Sequence, residues 1–132
     1  ARAVLESTAF AIRHLAEPIM QAGGNIQEMR VTGGQAQNNI LTQIKSDVLG
    51  IPIAVPIVTE AAVMGAAIIA GMGAKMFTDL VTSSEQMVSI GYTVEPNMQR
   101  HEQYSELYEV YERLYPDLRD AYHQIGALNV RD

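Results

Sequence analysis

A strand-like run ends at Val31-Thr32, two glycines follow, and an amphipathic helical pattern begins within a few residues: VTGGQAQNNILTQIKSDVLG. Glycine removes the Cβ that would keep a backbone away from a ligand, and the first N–H groups of a helix point outward without partners. An anion or nucleotide site at this junction is therefore physically reasonable. The amides of Gln35, Gln37 and Asn38 can donate to phosphate or ribose and can read an adenine edge. A Gly-Gly pair alone is weak evidence, and a plain surface turn with solvated amides is the commoner outcome of such a pattern. The motif is not a P-loop, since no Gly-Lys-Ser/Thr follows, and it is not GxGxxG.

The rest of the chain alternates helical and strand-like segments. From Ala3 to Met20, the residues Val4, Leu5, Ala9, Ile12, Leu15, Ala16, Ile19 and Met20 recur at helical spacing, with Pro18 as a kink and Gly23-Gly24 as the stop. This stripe is expected to pack on the sheet that holds Met29 and Val31. Glu28 to Val31 predicts a short strand. A helix is expected from about Ala36 to Leu49, with Ile40, Leu41, Ile44, Val48 and Leu49 buried and Gly50 as C-cap. IPIAVPIV is rich in β-branched residues, but Pro52 and Pro56 predict an edge strand or a very short one. After Thr59 comes EAAVMGAAIIAGMGA, apolar almost all round and so expected to be buried. A short helix near Thr78 to Val88, a strand-like SIGYTV and a long helix over about 101–125 complete the pattern, which reads as α/β.

Composition narrows the function classes. Hydrophobic residues make up 48% of the 132 and charged residues 18%, which is globular material. A net charge of −6 and a pI near 4.9 argue against nucleic acid or an anionic membrane as main partner. Without cysteine there is no disulfide framework, thiolate nucleophile or cysteine zinc site, and an intracellular origin fits. The apolar stretch from Ala61 to Gly73 is too short to span a bilayer. No signal peptide is visible, and the start ARAVLESTAF suggests a piece of a longer protein.

Other candidates carry bland explanations. Asp47 lies where the helix dipole disfavours an acid, so it marks either a tertiary contact or, more commonly, a solvated carboxylate. Gly65 and Gly71 fit close packing better than ligand approach. Tyr104, Tyr108, Tyr111, Tyr115 and Tyr122 at helical spacing read as a docking face. His14, His101 and His123 lack metal-ligand spacing.

Taken in order, RAVLESTAFAIRH, VTGGQAQNNILTQIKSDVLGIPIAVP, TEAAVMGAAIIAGMGA and EPNMQRHEQYSELYEVYERLY resemble the C-terminal part of an FGGY-family carbohydrate kinase. The resemblance runs from Ala1 to about Ile125. It implies an α/β fold that is part of an actin-like, ribonuclease-H-like ATPase domain. Residues 1–132 would form the incomplete later part of the second, ATP-binding domain, with the long helix at about 101–125 near its end. The implied reaction of the parent enzyme is transfer of the ATP γ-phosphoryl group to a hydroxyl of a sugar or polyol, with Mg²⁺ as cofactor. Carried across residue by residue, Gly33, Gly34, Gln35 and Asn38 would be nucleotide-binding, with Asn38 at the adenine as in glycerol-kinase-like members. Many xylulokinase-like members read GGGAKS instead, with lysine and serine where this chain has Gln37 and Asn38, which leaves the adenine contacts open. The family's catalytic base and most sugar contacts lie on the first domain, so no catalytic or metal-binding residue is expected in this chain. The implied partners are ATP or ADP, a sugar or polyol, and further copies in a cytoplasmic homo-oligomer, with no nucleic acid and no membrane. A rival is an actin-like or Hsp70-like nucleotide module with an assembly or regulatory role, and another is an interaction domain whose Gly-Gly turn binds nothing.

Overall fold

The computed structural model describes residues 2–128. Helix α1 (Arg2–Gln21) is followed by strand β1 (Met29–Arg30), a 3-10 turn (Gly33–Gln37), helix α2 (Asn39–Leu49) and strand β2 (Ile53–Pro56). Helices α3 (Ala61–Gly73) and α4 (Leu80–Met87), strand β3 (Ile90–Val94) and the long helix α5 (Met98–Ala127) complete it. The sheet order is β1-β2-β3. β1 runs parallel to β2, with Met29 opposite Ile53, and β3 pairs antiparallel on the other side, with Ile53 opposite Val94. The α/β alternation read from the sequence is the one observed.

Three expectations about packing change. Of the two alternatives for β2, the short strand holds and the edge does not: it is four residues long, central in the sheet, and all four are buried. Its prolines are tolerated because Pro52 precedes the strand and needs only its carbonyl, which accepts from the Met29 N–H at 3.1 Å. Pro56 sits at the far end, where the register with β3 becomes irregular.

Helix α1 packs mainly on α2 and α5 and not on the sheet. Its deeply buried residues are Ala9, Phe10 and Ala16, whereas Val4, Leu15 and Ile19 are exposed. Phe10 meets Tyr104 edge-on at 6.0 Å between centroids and lies 5.4 Å from Tyr111. Ala9, Phe10, Ile44, Val48, Tyr104 and Tyr108 form the first core. The guanidinium of Arg13 covers the Tyr108 ring at 4.3 Å and donates to the Val48 carbonyl and the Ser105 hydroxyl. Tyr104, Tyr108 and Tyr111 thus do form a docking face, but Tyr115 and Tyr122 are exposed and stack on each other.

Helix α3 was expected to be buried because it is apolar all round. Only Ile68 and Gly71 are buried, the latter beneath the Phe77 ring, which is the close packing its glycine predicts. Val63 and Ile69 remain about two-thirds exposed. Pro56, Ile57, Val58, Met64, Ile68 and Val88 line a cleft of about 310 Å³ beside this helix. So much uncovered apolar surface on one 14.5 kDa chain favours association. The isolated chain should therefore sediment as concentration-dependent oligomers or unfold at low denaturant. A monomer at every concentration, with a steep and highly stable unfolding transition, would contradict this.

Candidate functional site

The Gly33–Gln37 turn stands at the end of β1 and opens onto α2. Its conformation divides the work between the two glycines. Gly33 has φ +69°, a left-handed value that favours glycine. Gly34 has no such φ, and a Cβ built on it meets nothing within 4 Å. Both glycines leave open space beside the turn, and of the two only Gly33 needs the left-handed φ.

The turn is anchored from below. Ala36 is buried with Val31, Ile53 and Val55 in a second core. The Gly33 N–H donates to the Thr59 carbonyl at 2.7 Å, tying the turn to the segment before α3. Gly34, Gln35, Gln37 and Asn38 stay exposed above that anchor. All four residues expected at a nucleotide (Gly33, Gly34, Gln35 and Asn38) therefore lie on one short segment at the mouth of α2.

The helix itself begins later than the sequence pattern predicts, at Asn39 and not near Ala36, because the GGQAQ residues wind as a 3-10 turn. Asn38 is the N-cap: its Oδ1 accepts from the Leu41 N–H at 3.1 Å. A backbone N–H requires an acceptor, so the oxygen of this amide is fixed inward and its NH2 is left to face outward. Its backbone carbonyl also accepts from the Thr42 N–H and hydroxyl. Asn38 thus supports the helix and can still donate one or two hydrogen bonds to a ligand.

Behind the turn, α2 is buried on more than its apolar stripe. Thr42, Lys45, Ser46 and Asp47 are all buried, whereas Ile40, expected in the core, is 69% exposed. The Lys45 ammonium donates to Gln35 Oε1 at 2.6 Å. Burial lowers the Lys45 pKa below the ordinary lysine value. Asp47 is not solvated: its carboxylate accepts from Gln43 Nε2, the Asn97 N–H and the Arg100 guanidinium at 2.8, 2.8 and 2.9 Å. These bonds fasten the start of α5 to α2. Gly50, the expected C-cap, has φ +69°, and the His101 ring lies against it while His101 Nδ1 sits 3.0 Å from the Asp47 carbonyl. Lys45 was legible in principle, since it falls at helical spacing between Leu41 and Val48, a lysine on an apolar face.

Among the described residues no group of three or more His, Asp or Glu side chains could hold a metal ion. No described helix is long and apolar enough to cross a membrane.

Comparison with known proteins gives concordant results. A profile for the "FGGY family of carbohydrate kinases, C-terminal domain" matches residues 1–74. An autoinducer-2 kinase of Klebsiella pneumoniae subsp. pneumoniae is 34% identical over 117 residues, which cover 88% of this chain and 22% of that protein. Among solved structures, a ligand-bound xylulose kinase from Lactobacillus acidophilus superposes with a TM-score of 0.83 at 19% identity, over 94% of this chain and 25% of that one. The Plasmodium falciparum glycerol kinase solved with ADP has a TM-score of 0.66 at 25% identity, over 85% of this chain and 23% of that one. The chain therefore spans about a fifth to a quarter of the length of these proteins. Its fold is part of the actin-like, ribonuclease-H-like architecture of the sugar kinases. By its profile match, its relatives and its fold, the chain belongs to the FGGY family of carbohydrate kinases.

Proposed function

We infer that this chain is the later part of the ATP-binding domain of a carbohydrate kinase, whose full-length form transfers the γ-phosphoryl group of ATP to a sugar or polyol hydroxyl. The observation that carries this reading is the anchored Gly33–Gln37 turn, with open space at Gly34 and the Asn38 NH2 facing outward at the start of α2. Such a surface suits phosphate, ribose and purine ring atoms, which are rich in hydrogen-bond acceptors. In this reading Gly33 shapes the turn, Gly34 lets the nucleotide approach the backbone, and Gln35 and Asn38 donate to it. The name of the Plasmodium falciparum structure, a glycerol kinase with ADP, agrees with a nucleotide in this fold.

Phosphoryl transfer rests mainly on positioning and charge stabilisation, with Mg²⁺ neutralising the phosphates and a base orienting the hydroxyl. In this reading the Gly33–Asn38 residues serve the nucleotide, and no residue of the chain is assigned to the metal or the base. The part of this chain is to bind and orient ATP. A general base, the sugar contacts and the metal ligands belong to other parts of the full-length enzyme.

Hydrogen exchange of the full-length protein, with and without MgATP, tests the assignment. Peptides covering residues 33–38 should exchange more slowly when nucleotide is bound. Unchanged exchange there, with protection appearing elsewhere, would remove the turn from the nucleotide site.

A further inference from the structure

Lys45 has no evident structural reason to be a lysine. It is 4% exposed, and its one recorded hydrogen bond runs to the neutral Gln35 Oε1 at 2.6 Å. Among the described residues no carboxylate pairs with it. A buried ammonium without a counter-charge is unfavourable, and an apolar side chain of similar length fills such a place better. What the ammonium does provide is direction. It has three donors and no acceptor, so the amide facing it must present oxygen. Gln35 is exposed and would otherwise sample many rotamers and both amide orientations. With Oε1 held inward, its NH2 faces out. Asn38 reaches the same orientation through the Leu41 N–H, so Gln35 and Asn38 both turn their donors outward.

We propose that Lys45 is a positioning residue of the nucleotide site, which from inside the domain locks Gln35 with its NH2 toward the acceptor atoms of the bound nucleotide. The proposal rests on the reading of Gly33–Asn38 as the nucleotide loop. Lys45 itself touches no ligand. Its effect is to remove, before binding, the conformational freedom that Gln35 would lose on binding.

The test uses Lys45→Met, Gln35→Ala and the double variant in the full-length kinase, with MgATP and sugar varied separately and melting temperature measured on each. Gln35→Ala should raise the KM for ATP about 2- to 12-fold, the factor that one amide hydrogen bond represents. Lys45→Met should raise it within the same range and leave kcat and the sugar KM unchanged. The double variant should be no worse than the worse single one, within about 2-fold. Lys45→Met should melt at or above the wild-type temperature, because an uncompensated buried charge is gone. A lowered melting temperature would make Lys45 a packing residue and overturn the proposal. Multiplying effects in the double variant would also overturn it, as would an ATP constant that responds to Gln35→Ala and not to Lys45→Met; in both cases the loop assignment survives. If neither single variant alters the ATP constant and residues 33–38 gain no protection with nucleotide, the loop assignment itself fails.

Discussion

Replacing Gly34 by valine should raise the KM for ATP of the full-length kinase by about 5- to 150-fold while the turn stays folded. The two consequences separate here because Gly34 carries no left-handed φ and a Cβ on it meets no protein atom within 4 Å. A Cβ at Gly34 meets no resistance within this chain, so a loss of ATP affinity in a variant that folds normally by circular dichroism reports on the ligand. A branched side chain inside a close backbone–nucleotide contact costs about 1–3 kcal/mol, a factor of about 5 to 150. Gly33→Val is a poorer probe, since φ +69° at Gly33 makes the fold itself object. Asn38→Ala is likewise confounded. It removes the cap of α2, a loss of about 0.5–2 kcal/mol in stability, along with any ligand contact. Asn38→Ser retains a capping oxygen and withdraws the outward NH2, so it should raise the ATP constant about 2- to 12-fold with the sugar constant unchanged. Steady-state kinetics with each substrate varied in turn, beside circular dichroism, decide the matter. An ATP constant unmoved by Gly34→Val would make the turn a plain surface feature.

Phe10→Ala should destabilise the 132-residue chain by about 3–5 kcal/mol, enough to leave a marginal fold without a cooperative transition. Phe10 is 8% exposed and contacts three tyrosine rings of α5. Its removal opens a cavity between two helices and also loses ring–ring contacts worth about 0.5–1.5 kcal/mol each. Leu5→Ala should cost less, since Leu5 packs at the margin of this core and is only half-buried. Leu15→Ala, at a side chain 73% exposed, should change stability by less than about 0.5 kcal/mol. Urea unfolding of the three variants gives the order. Equal losses for Phe10 and Leu15 would mean that α1 presents a different face to its neighbours.

Periodicity and glycine placement made the helices, the first strand and the Gly50 cap legible. The faces were harder. Val4, Leu15 and Ile19 lie at helical spacing with Ala9 and Ala16, yet α1 buries Phe10 because it packs on α2 and also on α5, the latter about ninety residues away in sequence. No local pattern names that partner. The prolines of β2 argued for an edge, but both lie where the ladder needs no N–H from them. At the candidate site, the glycines and amides were visible as residue types. The buried Lys45 and the threefold-bonded Asp47 became meaningful only once Gln35, Asn97 and Arg100 were placed beside them.

The first core joins the two ends of the chain. Arg2 reaches the Tyr104 hydroxyl across 102 positions, and His14 reaches Tyr108 across 94. During synthesis α1 and α2 precede α5 and can pack on each other, but the tyrosines that cover Phe10 arrive only with α5. Contacts so distant in sequence slow the search for the native state and leave Phe10 open to other chains in the interval. The family profile ends at residue 74, well before those closing side chains. A chain cut after residue 97 would keep every matched residue and lose Tyr104 and Tyr108 from its interior. What marks the family and what completes the fold are different stretches of this polypeptide.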